Sequence, residues 1–243
     1  MPALSVSIVM PAHNEASYLA DAVERTVRGL RDRGLRFEVL VVENGSTDQT
    51  GAVADRASRE FEEVRVLRRP VADYGAALRA GFLEASGEQV INFDVDLVDL
   101  GFLETARKVA EQQAAVVVVG SKRSSGAEDN RPRGRRLVTA VFSLLLEVAF
   151  GLCVSDTHGM KLLVREPLLP VVDASRFGAD IFDTEVVLRA ERAGLLVVEV
   201  PVAVTDGRPP RTSILRRIPR SLVGLSRLRL ALWAERRRAS PHL

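Results

Sequence analysis

Val90-Ile91-Asn92-Phe93-Asp94-Val95-Asp96-Leu97-Val98-Asp99-Leu100 joins an apolar run to three carboxylates within six residues. Val90 to Phe93 reads as a buried strand that runs straight into Asp94, Asp96 and Asp99. Such carboxylates repel one another and resist burial without a partner. A divalent cation, Mg2+ or Mn2+, resolves that conflict when it is held by oxygen ligands and carries a phosphorylated substrate. Mg2+ typically takes one or two carboxylates plus substrate phosphates. Taken alone, the D-x-D pattern favours a solvated acidic turn; the surrounding chain reverses that preference.

Upstream, strands alternate with helices. Val6 to Pro11 is a short apolar strand, followed by the polar loop Ala12-His13-Asn14-Glu15. Leu19, Val23, Val27 and Leu30 recur at helical spacing, with Gly34 as a stop. Phe37 to Val42 is a second strand that ends at Glu43-Asn44-Gly45-Ser46-Thr47-Asp48, where Ser46 or Asp48 can cap a helix reaching Phe61. Val64 to Leu67 is a third strand and Tyr74 to Ala85 a helix. Beyond the acidic stretch, the pattern predicts a helix over 101–113 and a strand over 115–119. This alternation predicts an α/β fold with a mostly parallel sheet. In such sheets ligands sit beyond the carboxyl ends of the strands. His13-Asn14-Glu15, Glu43-Asn44 and Asp94-Asp96 therefore fall along one crevice, which fits a nucleotide-bearing substrate and a metal. No Gly-rich dinucleotide fingerprint follows the first strand, which argues against an ordinary dehydrogenase.

After Ser121 the character changes. Lys122 to Arg136 is polar and holds six basic residues, so it reads as a mobile loop. Leu137 to Val154 is apolar for eighteen residues, close to the length of a membrane span, but Glu147, Thr139 and Ser143 interrupt it. A buried or interfacial helix is the expectation. Ser155 to Gly159 makes a loop, Met160 to Val164 a strand, Asp180 to Arg192 a helix bearing Asp183 and Glu185, and Leu196 to Val200 another strand.

Six pieces of the chain, in order from about residue 5 to residue 220, resemble the family 2 inverting glycosyltransferases with the GT-A fold. Within that family the nearest likeness is to the dolichol- or polyprenyl-phosphate sugar synthases. Ile8-Val9-Met10-Pro11-Ala12-His13-Asn14-Glu15 is similar to their hydrophobic–Pro–x–Tyr/His–Asn–Glu opening, and Val41 to Asp48 to V-V-D-D-G-S-x-D. Asp73 to Leu78 is similar to G-x-G-x-A-L, with Asp73 in place of the first Gly. Phe93 to Leu97 matches M-D-A-D-L, Ser155 to Lys161 resembles S-D-x-x-x-G-F-R/K, and Val198 to Val202 resembles V-x-E-V-P-I.

The resemblance implies a GT-A, Rossmann-like sheet flanked by helices, a nucleotide-sugar donor and a bound Mg2+ or Mn2+. It implies that Pro11, His13 and Glu15 line the base and ribose pocket, and that Glu43 reads the base. Asp94 and Asp96 would hold the metal and the donor diphosphate, with Asp96 the principal ligand. Glu43-Asn44 stands where the family has Asp-Asp, and Val98 where the lipid-phosphate synthases often have Gln. The Q-x-x-R-W signature of processive synthases is absent, so no processive polymerase is expected. Lys161, Lys122, Arg123, Arg208, Arg211 and Ser213 are candidates to meet phosphates or the acceptor, or else ordinary surface groups. Asp156 is the candidate general base if the acceptor is a hydroxyl. Its other role is a turn cap. A lipid phosphate is already anionic and needs no strong base.

The 243 residues carry a net charge of only +2, with 47% apolar and 27% charged residues, ordinary values for a globular chain. The charge is uneven. Arg208 to Arg238 holds ten Arg and a single acid, Glu235, a local +9 that leaves −7 for the remainder. Residues 1–212 read as the transferase domain and 213–243 as a basic amphipathic helical tail. In that tail Leu215, Ile218, Leu222, Leu225, Leu228 and Leu232 recur at helical spacing, and Pro219 marks a kink or a start. With Trp233, the tail suits an anionic membrane surface; a helix packed on the domain with an Arg-rich solvated face is the plainer reading. Aromatics for stacking are scarce, so no nucleic-acid partner is expected. A single cysteine, Cys153, excludes an internal disulfide, and no signal segment is read at Met1, so a cytoplasmic protein peripheral on the membrane's cytoplasmic face is expected. The leading expectation is transfer of one sugar to a polyprenyl phosphate. A soluble transferase acting on a small-molecule or saccharide hydroxyl stays open, as does a non-catalytic nucleotide-sugar-binding protein.

Overall fold

Near-continuous apolar runs become central strands when both faces of a sheet are covered. All of β1 (Val6–Ala12) and β2 (Phe37–Asn44) is buried in this way. The computed structural model describes residues 5–129, 133–178, 181–204 and 214–239. β3 (Val64–Arg69), β4 (Gln89–Asn92), β5 (Val117–Ser121), β7 (Lys161–Val164) and β8 (Val197–Pro201) complete a seven-stranded sheet of order β3-β2-β1-β4-β7-β5-β8. β7 runs antiparallel to both β4 and β5, while the other pairings in the sheet are parallel. Lys161, the first residue of β7, is therefore in register with Asn92, the last of β4. The start of β7 thus lies on the edge where the parallel strands end.

One face of the sheet is covered by α1 (Leu19–Asp32), α2 (Thr50–Glu60) and α4 (Leu100–Gln113). The other is covered by α3 (Tyr74–Glu84), α5 (Arg133–Phe150), α6 (Arg165–Ala174), α7 (Phe182–Arg192) and α8 (Ile214–Ala239). α3 lies close to the sheet because Gly81 has no side chain. A Cβ there would come within 2.3 Å of Val9. Buried charge is matched inside the sheet: Glu38 accepts from Ser7 Oγ at 2.6 Å, Ser86 N at 2.6 Å and Arg65 Nε at 2.9 Å.

Three expectations need correction. The segment read as a mobile loop over 122–136 contains β6 (Glu128–Asp129), which pairs in parallel with β9 (Ala203–Val204), and it already enters α5 at Arg133. A two-residue ladder leaves no period to read, and an Arg-rich first turn hides a helix start. The tail helix runs from Ile214 to Ala239 through Pro219, so of the kink or start expected there the start is excluded. So near the N-terminus a proline removes one hydrogen bond, to the carbonyl of Leu215, and helix on both sides tolerates it. The third is an omission: α6 goes unread because Pro167 and Pro170 mask it; Pro167 falls in the first turn, where proline is tolerated, and Pro170 lies inside the helix.

Leu225, Leu228 and Leu232 of α8 are buried against α7 and its neighbours. Its outer side exposes Leu222, Val223, Leu230 and Trp233. In α5, Leu146 is buried, whereas Leu137, Val141, Leu144 and Val148 form a stripe in which each side chain is more than half exposed. Among the described residues no helix is long and apolar enough to cross a membrane.

Candidate active site

The ends of β1 and β2 are laced together by short polar side chains. Asn14 takes a left-handed conformation (φ 55°), which Asn tolerates better than most residues. Its Oδ1 accepts from Thr47 N at 2.8 Å, and its own N–H donates to Ser46 Oγ at 3.1 Å. Glu15 N donates to Thr50 Oγ1 at 2.7 Å, and Ala16 N to Asp48 Oδ2 at 3.2 Å. His13 Nδ1 lies 2.8 Å from the Asn44 carbonyl. A carbonyl can only accept, so the proton is on Nδ1 and Nε2 is left to accept from Asn14 Nδ2 at 3.3 Å. Gly45 makes this turn possible: it has φ 62°, and a Cβ would sit 2.7 Å from the backbone N of Ala72. Pro11 is buried opposite Val42, and Ala12 is opposite Glu43. The Glu43 carboxylate accepts from Ser46 N at 2.7 Å and lies 3.9 Å from Arg68 Nη1. Pro11, His13, Glu15 and Glu43 thus share one edge, with Glu43 already engaged. Beside Asn44 in register, Arg69 keeps a buried Nε with no partner among the described residues.

The three carboxylates of the opening stretch part company. Asp99 caps α4, its Oδ1 accepting from Phe102 N at 2.9 Å. Asp96 is exposed on the turn. Asp94 is half-buried, and its Oδ1 accepts the Tyr74 hydroxyl at 2.9 Å. Burial pushes the Asp94 carboxyl up to about 6. The Tyr74 hydrogen bond and Lys161 oppose that rise, and the charges of Asp96 and Asp183 add to it.

On the far side of β4, Asn92 pins the start of β7. Its Oδ1 accepts from Lys161 N at 2.9 Å and its Nδ2 donates to Gly159 O at 3.3 Å. The Lys161 side chain is buried; its Nζ donates to Asp183 Oδ1 at 2.6 Å and to Gly159 O at 2.8 Å. Asp183 comes from the first turn of α7. Asp156 is also buried: Oδ1 accepts from His158 N at 2.9 Å, and Oδ2 faces Lys122 Nζ at 3.3 Å. Lys122 donates as well to His158 O at 2.8 Å. Burial lowers the His158 pKa, with Asp183 and Asp156 pulling the other way. The ring makes an edge contact with Phe142 of α5 at 5.4 Å. Arg123 is exposed beside this loop. Arg208, Arg211 and Ser213 lie outside the described residues.

Two residues carry weight that the sequence reading did not assign. Tyr74 opens α3 and reaches Asp94; Asp183, in the first turn of α7, holds Lys161. The readable signal was a polar residue opening a helix just after a strand or loop. Glu185, on the same helix as Asp183, is fully buried. It accepts from Arg176 N at 2.9 Å, Phe177 N at 2.8 Å and Arg189 Nε at 2.8 Å.

Among the described residues no three His, Cys, Asp or Glu side chains form a metal cluster. The donor set does fit a cation completed by substrate. Asp94 and Asp96 are two residues apart on one turn, Asp94 half-buried and Asp96 exposed. A site of one or two carboxylates plus phosphate oxygens is the arrangement Mg2+ prefers.

A family model described as Glycosyl transferase family 2 matches residues 7–169. Glycosyltransferase AglD of Haloferax volcanii is 31% identical over 204 residues, covering 82% of this chain and 33% of that protein. A dolichyl-phosphate beta-glucosyltransferase of Trichomonas vaginalis is 28% identical over 217 residues, 83% of this chain and 66% of its own. An undecaprenyl-phosphate 4-deoxy-4-formamido-L-arabinose transferase of Salmonella paratyphi B is 28% identical over 170 residues, 69% of this chain and 51% of its own. The chain thus spans between about a third and two thirds of these relatives' lengths. Among solved structures, mannosyl-3-phosphoglycerate synthase from Rubrobacter xylanophilus matches with a TM-score of 0.69 at 19% identity, over 99% of this chain and 76% of that one. Glucosyl-3-phosphoglycerate synthase from Mycobacterium tuberculosis, solved with Mn2+, uridine-diphosphate and phosphoglyceric acid, matches with 0.63 at 22% identity, over 89% and 74%. At these identities the likeness shows the fold.

Proposed function

The chain belongs to glycosyl transferase family 2, and from that premise we propose that it moves a single sugar from a nucleotide sugar to a polyprenyl phosphate with inversion at the anomeric carbon. The observation that carries the reading is the meeting of Asp94 and Asp96 with the Lys161–Asp183 pair at one edge of the sheet. The names of the dolichyl-phosphate and undecaprenyl-phosphate relatives support the acceptor class. The Mn2+-bound structural neighbour supports a divalent metal.

Asp94 and Asp96 would hold the cation, and Pro11, His13, Glu15 and Glu43 the nucleoside. When bound, a divalent cation stabilises the charge of the departing nucleoside diphosphate. The chain's own contribution is position and charge. Asp183 holds Lys161 in place at the strand end, and Asp156 does the same for Lys122. An acceptor phosphate is anionic on arrival, so no residue has to remove a proton. That agrees with Asp156, whose two oxygens are both engaged.

The same reading places the protein on anionic lipid. α5 turns its exposed stripe outward while Phe142 and Ser143 touch the 155–158 loop. Ser143 Oγ donates to Ser155 O at 2.6 Å. One helix thereby joins an apolar outer face to the acceptor side of the site. The test is a panel of nucleotide sugars with Mn2+ and a short-chain polyprenyl phosphate, the product's anomeric configuration being read by NMR. Expected is metal-dependent formation of one polyprenyl-phosphate sugar, inverted relative to the donor. No transfer from any donor, or a retained configuration, contradicts the proposal.

A further inference from the structure

We infer that Tyr74 is the residue that positions Asp94 for a divalent cation. The inference rests on the reading of Asp94 and Asp96 as the metal-holding pair. The geometry behind it is a short chain of hydrogen bonds from the nucleotide side of the sheet to the metal side. His13 Nδ1 donates to the Asn44 carbonyl, and Asn44 Oδ1 accepts from Asp73 N at 3.0 Å. Asp73 caps α3, its Oδ1 accepting from Ala76 N at 2.9 Å. Tyr74 is the next residue, so its backbone is fixed by the cap and by the end of β2. From there its hydroxyl reaches Asp94 Oδ1 at 2.9 Å.

Asp94 needs such a support. It stands on a tight turn just beyond β4, where the charges of two carboxylates, Asp96 and Asp183, and one cation, Lys161, act on it. A carboxylate in that setting rotates away from its neighbours unless something holds it. One hydrogen bond to Oδ1 fixes the plane of the group and leaves Oδ2 and a lone pair of Oδ1 for a cation. The chemical type of the donor matters as well. An ammonium or guanidinium at this place would cancel the charge that attracts the metal, whereas a phenol orients the carboxylate and leaves its charge intact. An ordinary phenol titrates near pH 10 and so has a proton to donate at neutral pH. Supports of this kind orient metal ligands.

The test measures Mn2+ binding by the electron paramagnetic resonance of free Mn2+, with and without a nucleoside diphosphate, alongside melting temperature. Tyr74→Phe and Tyr74→Met both lack the hydroxyl but pack differently. Both are expected to weaken Mn2+ binding by about 10- to 100-fold, the usual effect of losing an outer-shell partner, whatever their melting temperatures. In an Asp94→Asn background Tyr74→Phe is expected to have no further effect, because Tyr74 acts through Asp94. Wild-type Mn2+ affinity in Tyr74→Phe overturns the inference, as does a loss that follows stability instead of the hydroxyl. Asp96→Asn separates the two levels. If it abolishes Mn2+ binding while Tyr74→Phe does not change it, the metal reading stands and the role of Tyr74 falls. If the wild-type protein binds no Mn2+, both fall.

Discussion

The half of the sheet built from β1 to β4 and the half built around β7 place their functional groups by different means. In the first half, parallel strands end together and loops are stitched by neutral or singly charged side chains: Asn14, Ser46, Thr47, Asp48 and Thr50. In the second, the reversed strand β7 brings Lys161 to the edge at its start, and buried ion pairs do the fixing. Lys161 pairs with Asp183, Lys122 with Asp156, and Arg189 with Glu185. A loop held by many weak bonds tolerates loss of any one. A buried ion pair does not, because removing one partner strands the other.

The largest expected effect follows from that contrast. Lys161→Met leaves Asp183 buried without its cation and should cost about 3–5 kcal/mol of stability, by the usual effect of breaking a buried pair. Urea unfolding measures it, and adding Asp183→Asn should recover part of the loss. A cost near zero would mean that the second half does not depend on its ion pairs.

The contrast also explains what could be read in advance. The first half was legible because each strand and its loop are contiguous: Pro11 to Glu15, Glu43 to Asp48 and Asp94 to Asp96 announce themselves as polar clusters after apolar runs. The second half was legible only in pieces. Nothing local says that β7 reverses between β4 and β5, so the alignment of Lys161 with Asn92 could not be seen. Asp183 lies 22 residues from Lys161, and Tyr74 lies 20 from Asp94. Such pairs are made by the sheet's topology and not by sequence spacing. Asp94 and Asp99 look alike in the sequence, yet one faces a tyrosine and the other caps a helix.

Next in size is the metal side. Asp96→Asn should lower turnover by about 10²- to 10³-fold, the usual effect of deleting a positioned electrostatic group. Because Asp96 is exposed, its melting temperature should stay close to that of the wild type. Steady-state rates with Mn2+ and with chelator test this, and an unchanged rate would remove Asp96 from the site.

A smaller effect is expected in the first half. Gly45→Ala puts a methyl group at φ 62° and within 3 Å of the backbone of Val71 and Ala72. The strain should cost roughly 1–3 kcal/mol, measured by urea unfolding, and should weaken nucleoside diphosphate binding by calorimetry. Unchanged stability would show that this turn relaxes freely and that the left-handed glycine does not hold it.

The smallest effect on the fold is expected at the α5 stripe. Leu144→Glu with Val148→Glu should leave stability near the wild-type value, since both residues are more than half exposed. Sedimentation with phosphatidylglycerol vesicles should nevertheless drop, and the binding that remains should weaken with salt. Equal sedimentation of variant and wild type would put the lipid contact elsewhere.

The central claim is that the acceptor is a phosphate. It is tested most directly by offering the purified protein, one productive nucleotide sugar and Mn2+ a short-chain polyprenyl phosphate and the matching polyprenol together, then weighing the products by mass spectrometry. The account predicts sugar on the phosphate alone. Sugar on the free alcohol, with the phosphate left untouched, would contradict it.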